Sequence, residues 1–131
     1  MSHRILHDLL EAFATGGTGA VRLTASSSGT QIPDESIVQF VTPTWGNANN
    51  ILILPPPQPG RIVILAGAAT GGELRTSAPA TIAINGGLGA NAESAVAANR
   101  MIVAICESLT SWKAFGIASD GTTAGLEAAA P

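Results

Sequence analysis

The chain has 131 residues, of which 46% are hydrophobic, 11% are charged and 4% are aromatic, and its formal net charge is −3. This length suits one domain, and high hydrophobicity with low net charge excludes a disordered chain. Six scattered lysines and arginines exclude a basic surface for nucleic acid. The longest uncharged run, residues 36–60, is broken by proline and glycine, so we expect no membrane span.

Residues 1–16 are predicted to form a helical arm. An apolar stripe recurs at helical spacing on one face of a helix over residues 3–14. The stripe consists of Ile5, Leu6, Leu9, Leu10 and Phe13. Because a helix of this length is marginal in isolation, the stripe must dock on the protein's own sheet or on another subunit. We therefore predict that these five residues bind a partner.

Residues 17–119 are predicted to form a β-sandwich domain, followed by a small-residue tail over residues 120–131. Short runs rich in β-branched residues alternate with clusters of glycine, proline, asparagine and serine. The predicted strands are Ala20–Thr24, Ser36–Thr42, Asn50–Leu54, Arg61–Ala66, Glu73–Thr76, Thr81–Asn85, Arg100–Cys106 and Trp112–Ala118. Their regular spacing predicts a mainly β chain that forms a single antiparallel β-sandwich or jelly-roll-like domain, with no internal repeats. The tail is expected to be an extended arm.

Two of these segments are apolar on both faces of any strand. They are Ile51–Leu54 and Ile62–Leu65. Such strands lie between two layers, or one of their faces meets a neighbouring chain.

Residues 91–108 are compatible with helix by propensity, but the apolar run after Arg100 favours a buried strand over residues 100–106.

Catalytic and cofactor chemistry has little basis in this sequence. Gly87–Ala92 matches G-x-G-x-x-A, with Glu107 near the distance of a ribose-binding acid, yet a glycine-rich turn is the simpler interpretation. His3 and His7 are four residues apart on the predicted helix, where a solvated face is the ordinary interpretation. Cys106 lies in an apolar run and is expected to be buried. We predict no enzyme, no cofactor and no metal.

The two tryptophans, Trp45 and Trp112, each follow a turn-like stretch. We interpret them as structural anchors that fill the edges of the sandwich, each with its indole N–H bonded to a carbonyl. The alternative is a stacking platform for a sugar ligand.

An ordered series of short motifs runs through the second half of the chain. The motifs are Leu54-Pro55, Gly60–Ile64, Ala83-Ile84-Asn85-Gly86-Gly87, Ser94–Asn99, Ile102–Cys106 and Ser111-Trp112-Lys113-Ala114-Phe115-Gly116. This series resembles a theme common on tailed-bacteriophage virions, in capsid decoration (cement) proteins and in the β-modules of head and tail fibres. It covers roughly residues 52 to 117, and the chain lacks the flanking stalk that fibre modules usually carry.

The resemblance implies a homotrimeric decoration protein. Such a protein is made in the bacterial host cytoplasm and binds the outer surface of an icosahedral head, where it stabilises contacts between major capsid protein subunits. Its partners would be its own copies and the major capsid protein, with no nucleic acid and no membrane. The alternative is a receptor- or glycan-binding module of a phage head or tail fibre.

Overall fold

The computed structural model describes residues 20–126 and residue 128, and in this part of the chain there are eleven strands and no helix. The strands are β1 (Val21–Thr24), β2 (Thr30–Gln31), β3 (Val38–Thr44), β4 (Ile51–Ile53), β5 (Ile62–Leu65), β6 (Gly72–Arg75), β7 (Ala83–Ile84), β8 (Ser94–Val96), β9 (Met101–Ser108), β10 (Ser111–Ile117) and β11 (Thr123–Gly125). The prediction of a mainly β chain is confirmed. The helix predicted over residues 3–14 lies outside the described residues.

The strands form two sheets that share one core. The large sheet has the order β1-β3-β5-β9-β10-β11, with β7 also paired to β10, and the small sheet has the order β2-β4-β6-β8. Alternate residues of the large sheet point toward the small sheet, as the two-residue period of a strand requires. The inward residues of the large sheet include Val41, Val63, Ile102 and Ala104, which share a cluster with Leu74 of the small sheet.

The prediction of an antiparallel domain is wrong, because both sheets are mixed. From β1 to β6 each strand lies in the other sheet from the one before it, so successive strands of one sheet run in the same direction. The chain therefore winds back and forth between the two sheets, and we call this parallel winding the coil. Val21 pairs with Val41, and Thr30 pairs with Leu52, so one turn of the coil takes about 20 residues. A jelly roll is built from antiparallel strands, so that part of the expectation fails with it.

The coil is a structural repeat without a matching repeat in the amino-acid sequence. Stacked turns of a coil need only apolar residues at matching places, not the same residues. Val38–Val41 and Ile62–Leu65 are neighbours in the large sheet but share little beyond apolar character. The sequence therefore hides a repeat that the pairing of the strands reveals.

Antiparallel strands close the coil after its last turn. β8 pairs with β6 in the small sheet, and β9 pairs with β5 in the large sheet. β9 and β10 then form a hairpin across Leu109 and Thr110, with a bulge between Ser111 and Trp112. The apolar run after Arg100 is thus a strand, as predicted.

All eight predicted strands are found, with small shifts in their bounds, and the prediction missed three others. β2 has two polar residues, and β8 lies in an alanine-rich stretch that also favours helix. β11 lies inside the predicted tail, where it pairs antiparallel with β10. Each of the three has too few residues for its alternation to stand out.

Candidate functional site: an apolar sheet face

The large sheet carries a second apolar surface on the side away from the core. We call this surface the outer face. It consists of Phe40, Ile62, Ile64, Met101, Val103, Ile105, Phe115 and Ile117. Seven of these side chains are partly exposed, and Ile105 is 37% exposed. A contiguous apolar patch of this kind marks a surface that meets another molecule or another segment.

Strand register aligns the centre of the outer face into a single row. Phe40 of β3 pairs with Ile64 of β5, Ile64 with Val103 of β9, and Val103 with Phe115 of β10. Three strand spacings separate the ends of this row, which gives a length of about 14 Å. The four side chains thus lie side by side across four neighbouring strands.

The strands of the large sheet carry few outward charges, and these lie at its margins. Arg22 lies on the edge strand β1, while Glu107 and Lys113 lie at the hairpin end of β9 and β10. The Lys113 Nζ and Glu107 Oε1 atoms are 3.7 Å apart, and both side chains are about half exposed. The few outward charges of the large sheet therefore lie away from the row of Phe40, Ile64, Val103 and Phe115.

The two segments that are apolar on both faces differ in what covers them. On β4 the loop Ala25–Gly29 runs beside the strand, where Ile51 donates its N–H to the Ser26 carbonyl at 2.8 Å, and its last residue, Gly29, lies over the side opposite the core. An added Cβ on Gly29 would lie 2.7 Å from Ile53 Cδ1, so that loop packs tightly on the strand. On β5, Val63 and Leu65 are buried in the core while Ile62 and Ile64 belong to the outer face. Every described strand belongs to one of the two sheets, so no further strand lies over the outer face. At one end of this side Val38, which pairs with Ile62, is 5% exposed, so that end is covered.

Sequence reasoning named Ile62 and Ile64 but missed the rest of the outer face. The signal was present, because Met101–Cys106 is apolar at every position and Phe115 and Ile117 alternate with the inward Ala114. The predicted partner-binding stripe, from Ile5 to Phe13, lies outside the described residues.

Both tryptophans lie in the core. Trp45 is 2% exposed and Trp112 is 0% exposed, so neither ring can stack on a ligand, and the sugar-platform hypothesis is wrong for this fold. The indole N–H of Trp112 has no hydrogen-bond partner among the described residues, which differs from the expected carbonyl.

Two of the six motifs, Ala83–Gly87 and Ser111–Gly116, meet at one turn. Asn85 and Gly86 both have positive φ, 52° and 84°, and Gly87 donates to the Ile84 carbonyl at 3.0 Å. The Asn85 side chain then joins β10: its Nδ2 donates to the Ala114 carbonyl at 2.8 Å, and its Oδ1 accepts from the Ala114 N–H at 2.9 Å. The I-N-G-G and W-x-A motifs are therefore two halves of one contact.

The same turn overturns the dinucleotide-binding hypothesis. A dinucleotide fingerprint needs a helix directly after its glycines, with its N-terminus on the pyrophosphate. Among the described residues the Gly87–Ala92 segment is followed by β8 instead. The glycines serve a turn, as the simpler interpretation held.

No protein-family model, curated protein or solved structure matches this chain.

The structure describes two further features of residues 20–126 and residue 128 that bear on metal binding and on thiol chemistry. No group of three or more histidine, cysteine, aspartate or glutamate side chains could hold a metal there. His3 and His7 lie outside this part of the chain. Cys106 is buried, as predicted, and burial raises the pKa of its thiol, which disfavours the nucleophilic thiolate.

None of the described residues belongs to a helix with the length and hydrophobicity that a membrane span requires.

One buried carboxyl group lies on the other sheet, on the side away from the core. Glu73 of β6 is 7% exposed, and its neighbours Arg75 and Glu93 form an ion pair with each other. Burial raises the pKa of Glu73, and the hydrogen bond and charge of Glu93 raise it further, while the Arg75 charge opposes them. The folded state therefore binds the Glu73 proton more tightly than the unfolded state does.

We expect Glu73→Gln to stabilise the protein at about pH 7. Because the pKa of Glu73 is raised in the folded state, protonated Glu73 stabilises the fold relative to ionised Glu73. This stabilisation is fully present below the pKa of the unfolded state and is lost as the pH rises through the pKa of the folded state. Glutamine keeps the neutral shape at every pH, so its advantage should shrink toward about pH 4. Thermal melts across this pH range test the prediction. The exposed Glu35→Gln is the charge-matched control, and an equal gain for both variants would contradict the role of burial.

Proposed function

We propose that this chain is a structural protein of a phage virion. In this proposal it is a homotrimeric capsid decoration (cement) protein whose two sheets form a β-sandwich, and it binds the outer surface of an icosahedral head. There it stabilises contacts between major capsid protein subunits without catalysis. The observation that carries the proposal is the outer face, whose eight apolar side chains need a cover.

The outer face suits assembly better than it suits a small ligand. It is a sheet surface with one continuous row of large side chains, whereas small-molecule sites are concave and combine apolar walls with a few convergent polar groups. Covering partly exposed apolar side chains is favourable at up to about 1.5–3 kcal/mol for each side chain that becomes fully buried. On a capsid, many identical contacts of this size act together through effective concentration.

The motif contact between Asn85 and Ala114 supports the same proposal. Asn85, from one of the motifs, is hydrogen-bonded to Ala114 of β10, and β10 contributes Phe115 and Ile117 to the outer face. These two motifs are thus explained as a scaffold for a surface rather than as a chemical site. The glycan-binding alternative is not favoured, because both tryptophans are buried.

We expect Val103→Lys to disrupt assembly while leaving the fold intact. Val103 lies in the middle of the row, between Ile64 and Phe115, so a charge there would be buried without a partner in an assembled trimer. The trimer should dissociate at a concentration about tenfold higher or more, which corresponds to about 2.7 kcal/mol per trimer because its dissociation constant varies with the square of the concentration. Light scattering of the purified protein measures its mass, and co-sedimentation with capsids of the cognate major capsid protein measures attachment.

The control for this experiment is Ala95→Lys. Ala95 is an exposed residue of β8 in the small sheet, so the same lysine is added on the opposite side of the molecule. It should leave the mass and the attachment unchanged. A wild-type protein that stays monomeric and does not bind capsids would overturn the proposed function.

A further inference from the structure

The outer face of the large sheet is one apolar surface of this protein. The sequence predicts another, the stripe on a helix over residues 3–14. A helix of that length is about 18 Å long. The row from Phe40 to Phe115 is about 14 Å long. A helix that lay along the row could therefore contact all four of its side chains.

The large sheet begins beside this row. Val21, the first residue of β1, pairs with Val41, which directly follows Phe40. The chain therefore enters the sheet next to the end of the row, on an edge strand. Residues 15–19 can span at most about 17 Å. The segment before them can reach the outer face of its own chain or that of a close neighbour.

Symmetry distinguishes between the possible arrangements in a trimer. If the outer face met a second outer face, the contact would be self-complementary and would give a two-fold dimer. A three-fold ring needs two different surfaces on each copy, one of which binds the other on the next copy. The stripe and the outer face are two such surfaces.

We propose that, in the trimer, the stripe of one copy docks on the outer face of the next copy. This inference rests on the proposed function, because it takes the trimer as given. Each copy then donates one arm and receives one, and the apolar residues of both surfaces are covered. The exposed Ile105 and the row of Phe40, Ile64, Val103 and Phe115 are the receiving residues.

Disulfide trapping between differently tagged full-length chains tests this arrangement. One chain carries Leu9→Cys and the other carries Val103→Cys, both with Cys106→Ala so that the natural thiol is removed. The two chains are mixed, unfolded and refolded together, and then oxidised. We expect a disulfide that joins the two tags in most of the mixed trimers. Ile105→Cys replaces Val103→Cys as a second receiving position, because its exposure makes it more tolerant of change.

The outcomes separate this inference from the proposed function. Ala48→Cys, in an exposed loop, is the matched control and should give no tag-to-tag disulfide. Light scattering is recorded on the same samples before oxidation. A trimer that forms neither the Leu9–Val103 nor the Leu9–Ile105 disulfide overturns the inference and leaves the proposed function standing. A third full-length chain carries both Leu9→Cys and Val103→Cys, with Cys106→Ala. If the disulfide forms only within this chain, the arm docks on its own sheet and the inference is overturned. A monomer overturns the homotrimer of the proposed function and this inference with it, and a monomer that also fails to bind capsids overturns the proposed function as a whole.

Discussion

Gly72→Ala is expected to destabilise the protein by about 3 kcal/mol, at the upper end of the usual cost of overpacking. A Cβ on Gly72 would lie 2.1 Å from Cε3 and 2.5 Å from Cδ2 of Trp45. Trp45 is almost fully buried, and Gly72 is held in β6 by its pairing with Val96. Neither the ring nor the strand can move away without disturbing the core, so the clash must be relieved by a shift in packing.

Urea denaturation and thermal melts of the variant measure this effect. Gly87→Ala is the matched control, because Gly87 has no positive φ and its nearest atom, the Ile84 carbonyl oxygen, is 3.4 Å from the added Cβ. We expect that control to change stability by less than about 0.5 kcal/mol. Combining Gly72→Ala with Trp45→Leu should cost less than the sum of the two single changes, because they share one contact. A Gly72→Ala protein as stable as the parent would contradict the packing of Trp45 against β6.

Asn85→Ala is expected to cost about 3–4 kcal/mol, for two separate reasons. The residue sits at φ 52°, where alanine is disfavoured by about 1–2 kcal/mol. The substitution also removes the two hydrogen bonds to the Ala114 backbone, worth about 1 kcal/mol each. Because these bonds tie the turn after β7 to β10, their loss should also loosen the strand that presents Phe115.

Two further variants separate the two causes. Asn85→Gly keeps the positive φ and removes only the hydrogen bonds, so about 1–2 kcal/mol should be lost. Asn99 has a similar φ of 61°, and its side chain makes no hydrogen bond within the described residues, so Asn99→Ala should cost only about 1 kcal/mol. Equal losses for Asn85→Ala and Asn99→Ala would show that the contact with Ala114 contributes nothing. The measurement is the free energy of unfolding in urea.

Local residue patterns were sufficient to find the main strands. Apolar and β-branched runs such as Ile62–Leu65 are bounded by proline and glycine, and those signals act over a few residues. The same signals gave the wrong strand direction. Serine and glycine at Ser26–Gly29 allow a chain reversal, but they do not say whether the next strand lies in the same sheet or about 10 Å away in the other one.

The candidate site could be predicted only in part, for a related reason. The apolar character of both sides of β5 was visible in Ile62 and Ile64 beside Val63 and Leu65. Which side faces the core depends on where the small sheet packs, and that contact joins residues far apart in the chain. The tryptophans illustrate the same limit, since a tryptophan next to a turn suits a surface platform and a core anchor equally well.

The sequence by itself determined a β-rich fold, the positions of its main strands and the burial of Cys106. These properties depend on local residue type and spacing, which act within one strand or one turn. Only the tertiary structure decided the parallel coil, the contact of Asn85 with Ala114 and the row from Phe40 to Phe115. Those features depend on which distant strands become neighbours, and strand neighbours are selected by the packing of the whole core rather than by any one segment.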